Sequence, residues 1–254
     1  MTLLIGTVCG SGINPVGYEF QFEPGIVIAG DTRLTSNDGS FRDDGLKIES
    51  VGANGICGMA SDNIAVPTAA FHHFDKFLTD NPQATTSESL KALRRNLKQA
   101  NSAVSKSIGK PITSSALYGY HDPVTDKYLL FSLHSNDGFK PTAKAGWVAL
   151  GSHSSWMKES FDTITTSYGT LNEKPFDVFP PQQIPVVNGV GEFSARLVKA
   201  ALQVATEAES VTGSPQAIGG KPQLVALTND GVTVKDPSWF NKLVTWQIDN
   251  SRLQ

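Results

Sequence analysis

Cysteine is scarce in this chain. Cys9 and Cys57 are the two present, both inside apolar runs, so a disulfide framework is not expected and a reducing, cytoplasmic setting is. Charge of one sign is lacking as well: 21 Lys and Arg stand against 24 Asp and Glu, a net −3, which leaves no basic footprint for nucleic acid or an anionic membrane. No apolar run approaches the ~20 residues of a membrane-crossing helix. The first residues also lack the charged segment of a signal peptide. Gly10-Ser-Gly12 has no lysine and helix behind it to make a phosphate loop, and no nucleophile-elbow motif frames a serine. His72 and His73 face different ways on a helix and no carboxylate recurs at ligand spacing, so no metal or cofactor is expected. Lys91, Arg94, Arg95 and Lys98 read as a solvated helix face.

What is present is a chain of 254 residues, long enough for one substantial core and expected as a single domain over 1–254. Its organising stretch is Gly25-Ile-Val-Ile-Ala-Gly-Asp31-Thr-Arg33-Leu-Thr35. The β-branched run to Gly30 reads as a buried strand that delivers a carboxylate where its apolar character stops. Leu3 to Val8 has the same look. Paired as a hairpin across the Gly10 to Pro24 connection, the two strands bring Thr2 close to Asp31. A threonine whose own α-amino group is free carries both a nucleophile and its base.

After a polar loop, Lys47 to Gly52 and Ile56 to Asp62 predict a second hairpin around Asn54-Gly55. Helical period follows, with Ile64, Phe71, Phe74 and Leu78 on one side. Ser87 and Glu88 open a second helix along Leu90, Leu93, Leu97, Ala100, Val104 and Ile108. Strands return at Ala116 to Tyr120, Tyr128 to His134 and Lys144 to Leu150. A third helix is expected through Met157, Phe161 and Ile164, then a long inserted loop over 169–191, which its length marks as a functional or interface loop. A fourth helix carries Phe193 to Ala208. Strands at Gln223 to Thr228 and Val232 to Lys235 and a tail over 237–254 close the chain. Runs segregated in this way predict an α+β layered fold, helix pairs covering sheets packed on each other.

These residues, in this order, resemble a proteasome β-subunit or its HslV-type bacterial relative among the N-terminal nucleophile (Ntn) hydrolases. Thr2-Leu-Leu-Ile-Gly6, Gly25 to Thr35, Lys47 at the head of a strand, Gly58-Met-Ala-Ser-Asp62, Gly151-Ser152 and Gly219-Gly220 carry the likeness. It implies a four-layer α-β-β-α sandwich and a threonine protease. Once Met1 is removed, the Thr2 hydroxyl would attack a peptide carbonyl, with the α-amine as base, Lys47 beside the hydroxyl and Asp31 holding Lys47 charged. Gly58 N–H would be the oxyanion donor and Ser152 would support the amino terminus. By the same analogy Thr35 would pair with substrate backbone, while Leu34, Gly45, Ile56 and Ala60 would shape an apolar first specificity pocket. The implied partners are a peptide or unfolded protein substrate, further copies of the chain in homo-oligomeric rings, and an ATPase unfoldase. An acidic residue and a serine before Gly219-Gly220 are not at the family's spacing; Glu207, Glu209, Ser210 and Ser214 stand as substitutes. Two other readings remain open: a non-catalytic subunit that keeps the fold for assembly, and an amidase or transpeptidase on the same scaffold.

Overall fold

The computed structural model describes residues 2–9, 12–13, 19–20, 25–35, 40–145, 147–152, 154, 218–220, 223–229 and 231–235. The chain begins with β1 (Leu3–Cys9), β2 (Gly12–Ile13), β3 (Glu19–Phe20), β4 (Gly25–Gly30), β5 (Leu34–Thr35) and β6 (Phe41–Arg42). β7 (Ile48–Val51), β8 (Gly55–Ser61), α1 (Ala65–Asp80) and α2 (Thr86–Ile108) follow. Then come β9 (Ser114–Asp122), β10 (Lys127–His134), β11 (Thr142–Lys144), β12 (Trp147–Gly151), β13 (Gln223–Thr228) and β14 (Gly231–Lys235).

Ten of the strands form two antiparallel five-stranded sheets, ordered β12-β1-β4-β13-β14 and β11-β10-β9-β8-β7, and β2–β3 and β5–β6 form two small ribbons, so the described protein is mixed α+β with two α-helices. β1 pairs with β4 from Leu4↔Gly30 to Cys9↔Gly25, the hairpin that the two β-branched runs predict. Aliphatic side chains from the facing strands, Leu4, Ile26 and Ile28 against Ile56, Leu117 and Leu130, are at most 1% exposed and hold the sheets together. Each such side chain contributes about 1.5–3 kcal/mol by leaving water. On the outer face of the second sheet, α1 and α2 lay Val66, Phe71, Phe74, Leu93 and Leu97 over Met59, Tyr118 and Leu133. The outer face of the first sheet is buried too, at Leu3, Ile5, Val27, Ala29 and Leu224.

Several boundaries differ from the sequence reading. α2 starts at Thr86, because Thr85 and Glu88 close a reciprocal capping box: Glu88 N donates to Thr85 Oγ1 at 3.3 Å and Thr85 N to Glu88 Oε2 at 2.9 Å. Ile64 lies before α1 and is 47% exposed, so Val66 and Ala70 take its place in the core. Lys144 to Leu150 is not one strand. The chain leaves the second sheet with β11, paired to β10, and enters the first with β12, paired to β1. The expected third and fourth helices, the 169–191 loop and the 237–254 tail lie outside the described residues, as do Glu207, Glu209, Ser210 and Ser214. Among the described residues no helix is long and apolar enough to cross a membrane.

Candidate active site

Strand pairing brings Thr2 and Asp31 together, since one immediately precedes β1 and the other immediately follows β4. Leu3 N donates to Asp31 Oδ1 at 2.9 Å, and Asp31 N returns a longer bond to Leu3 O at 3.4 Å. On the other side of β1, Ser152 N donates to Thr2 O at 2.8 Å. Gly151 makes that approach possible: its φ is +92°, and a Cβ there would run into the Thr2 carbonyl.

Lys47 arrives from the second sheet, one residue ahead of β7. Its Nζ donates to Asp31 Oδ2 at 2.8 Å, with the two side chains 4% and 3% exposed. The same oxygen accepts from Arg33 N at 3.2 Å and Gly219 N at 3.4 Å, so one carboxylate gathers four donors from four segments of chain. Burial pushes the Lys47 ammonium below the ordinary lysine value, and the charge of Asp31 pulls it part of the way back. Burial likewise raises Asp31, opposed first by Lys47. The proton affinities of the two groups are thereby drawn toward each other.

Thr2 and Lys47 line one cleft of about 270 Å³, walled by Leu34, Leu46, Met59, Ser61, Ile64 and Pro67 among others. Two roomier depressions, at the C-terminal end of α2 and at the α1–α2 turn, contain neither residue. Of the expected pocket residues, Leu34 and Thr35 are in the cleft. Gly45 lies behind it, because a Cβ at that position would collide with the Leu34 side chain that fills the space.

Ile56, Gly58 and Ala60 do not line the cleft, although the Ala60 methyl lies beside Gly151 where it meets Thr2, and strand alternation is the reason. Even-numbered positions of β8 face the other sheet: Ile56 and Ala60 join Leu4 and Ile28 in the core, and a Cβ on Gly58 would meet Ile28, Leu4 and Ile48 at 3.1–3.5 Å. Gly58 is therefore a close-packing glycine. Its N–H is also misdirected for an oxyanion. Met59 N donates to Lys47 O at 3.1 Å, which makes Ile48↔Gly58 a non-hydrogen-bonded pair and turns the Gly58 N–H toward β9 and Leu117. Of the odd positions, Ser61 borders the cleft, whereas Met59, 2% exposed, reaches its inner end and turns its side chain into the core beneath α1 and α2. The Ser61 N–H points past the start of β7. Its hydroxyl is held by Ser114 Oγ at 2.8 Å, which in turn donates to Asn101 Oδ1 at 2.9 Å.

The sequence reading assigned no role to Arg33. Its guanidinium grips Asp43 through Nε at 2.7 Å and Nη2 at 3.0 Å, and lies 3.9 Å from the centre of the Phe41 ring. That hold keeps the Asp43 carboxyl below its usual range. Gly219 is required beneath it, since a Cβ there would collide with the guanidinium. Ser152 meets Thr2 through its backbone, and its Oγ is buried without a partner among the described residues. No group of three His, Cys, Asp or Glu among the described residues is arranged to hold a metal.

Compared with known proteins, the chain matches no family model and no curated protein sequence.

Proposed function

We propose that this chain is a threonine-type N-terminal nucleophile hydrolase of the proteasome-like kind, folded as one four-layer α-β-β-α domain and cleaving peptide bonds. The observation that carries the reading is the Asp31 carboxylate, which holds Leu3 N and Lys47 Nζ at once and so sets the residue after Thr2 beside a buried ammonium. A first sheet buried on both faces is what a fourth layer requires.

With Met1 removed, the Thr2 Oγ adds to the peptide carbonyl carbon while the α-amine, with an ordinary pKa of ~8, accepts the hydroxyl proton. Collapse of the tetrahedral intermediate breaks the C–N bond. The proton passes from the α-ammonium to the departing amine, and water then hydrolyses the Thr2 ester by the same route. Lys47 stabilises the negative charge that builds on Oγ. The Ser61 N–H takes the oxyanion role first expected of Gly58, a kind of contact worth about 10²–10³-fold in rate. Substrate lies as an extended strand between Thr35 and Ser61. Leu34, Leu46, Ile64 and Pro67 favour a large apolar side chain before the scissile bond. Assembly into homo-oligomeric rings, with an ATPase unfoldase as partner, completes the proposal.

Intact mass after incubation with a β-lactone tests it directly. Loss of Met1 and a single adduct, abolished in Thr2→Ala together with turnover of short fluorogenic peptides, is the expected result. Retained Met1 with no adduct would establish a non-catalytic subunit. An adduct without turnover of any peptide would direct the chemistry to a specialised amide.

A further inference from the structure

Gln223 opens β13, where its backbone is paired with Gly30, the residue before Asp31. Its side chain crosses to the other sheet. Oε1 accepts from Lys47 N at 2.9 Å and Ile48 N at 3.1 Å, and Nε2 donates to Ile48 O at 2.7 Å. β7 is the edge of its sheet, so these groups would otherwise face water or a foreign strand. The amide supplies the missing rung. With Lys47 N held by Gln223 and Lys47 O by Met59 N, the backbone of Lys47 is fixed on both sides of its Cα.

We propose that Gln223 is the positioning residue for Lys47: registered beside Asp31 by its backbone and clasping the Lys47–Ile48 backbone with its side chain, it ties the two partners of the buried pair to one another. The inference rests on the reading of Thr2, Asp31 and Lys47 as the reacting set, but it concerns the geometry of the pair and is testable without turnover. A merely structural stitch would affect stability and leave the chemistry of Lys47 untouched. A positioning residue affects both, since displacement by about 1 Å near a reacting group costs on the order of 10²-fold in rate.

The experiment is an NMR titration of ¹³C-labelled lysine side chains in the full chain, beside the rate of β-lactone acylation at Thr2 per folded molecule. Asp31, Asp43 and Arg33, the charged groups that act on Lys47, are unchanged in every variant. In Gln223→Met the Lys47 signal is expected to titrate closer to the ordinary lysine value as the ammonium gains water. Acylation is expected to slow by about 10–100-fold with half-saturation unchanged. If Gln223→Met does not fold, Gln223→Ser, which admits water in place of the amide, is read the same way. A Lys47 titration and acylation rate equal to the parent's in a folded Met or Ser variant overturns the proposal. A parent protein that forms no adduct would overturn the hydrolase reading alone, because the Lys47 titration would still decide the role of Gln223.

Discussion

Replacing Asp31 by Asn is the sharpest perturbation this site offers, because it removes a charge without changing a volume. The carboxylate is 3% exposed and receives Lys47 Nζ, Leu3 N, Arg33 N and Gly219 N. An amide has one acceptor oxygen. Turned toward Lys47, Arg33 and Gly219, it sets its NH₂ against the Leu3 N–H and leaves that donor buried and unmet, at about 1–3 kcal/mol. Turned the other way, it faces three donors with donors. In either orientation the Lys47 ammonium loses its counter-charge, and breaking one side of a buried pair destabilises by about 3–5 kcal/mol. A loss of at least ~3 kcal/mol is expected in urea denaturation, set against a total of ~5–15 kcal/mol for a domain. Lys47→Met leaves Asp31 three backbone donors and should be milder. The double variant should be less destabilised than the sum of the singles by at least ~2 kcal/mol. A loss below ~1 kcal/mol for Asp31→Asn, or additivity within ~0.5 kcal/mol, would refute the reading of this pair as the keystone between the sheets.

The same variant has a signed pH dependence. Lys47 binds its proton less tightly folded than unfolded, where its value is near 10.5. Between the two values the unfolded chain carries more protons, so stability rises with pH across that interval and is lost as pH falls through the folded value. Removing Asp31 takes away the charge that pulls Lys47 back up, which widens the interval downward. The gap in stability between parent and Asp31→Asn should therefore narrow on going from pH 7 to pH 9.5, by at most ~1.4 kcal/mol per pH unit. A constant gap would mean that Lys47 does not report the loss of its partner.

Three further outcomes separate the cleft from the core. Leu34→Ala, at a half-buried cleft position, should weaken use of substrates with large apolar side chains, measured as kcat/KM across a peptide series, whereas Ile56→Ala, fully buried between the sheets, should leave that preference alone and cost about 2–4 kcal/mol in denaturation. Gly151→Ala, with φ at +92° and the Thr2 carbonyl in the path of a Cβ, should destabilise by more than ~2 kcal/mol and slow acylation at Thr2, read by thermal melting and intact mass. Thr85→Ala removes an exposed capping box far from the cleft and should cost about 1 kcal/mol with no change in turnover.

Much of this was legible in sequence because it follows from period. Apolar runs with punctuation fixed β1, β4, β7 to β10 and β13 to within a residue or two, and the β1–β4 pairing followed from where those runs start and stop. Thr2, Asp31, Lys47 and Ser152 converge for the same reason: each sits at the end of a strand, and strand ends are where antiparallel pairing collects distant residues. The split of Lys144 to Leu150 between sheets was not legible, since either half is a plausible continuation of the other until pairing partners are known. Family analogy placed the oxyanion donor at Gly58 and pocket residues at Ile56 and Ala60, three positions of one parity on one strand. A strand shows alternate residues to opposite faces, so the three stand or fall together. None of the three lines the cleft: a glycine packed under Ile28 and Leu4 serves the join between sheets, and Ser61, of the other parity, borders the cleft. Gln223 and the Arg33–Asp43 clamp left no local trace at all, because the groups they bind are 176 residues and 10 residues away and neither spacing is a secondary-structure period. Motifs announce reacting atoms, whereas the residues that hold those atoms still are found from contacts across sheets.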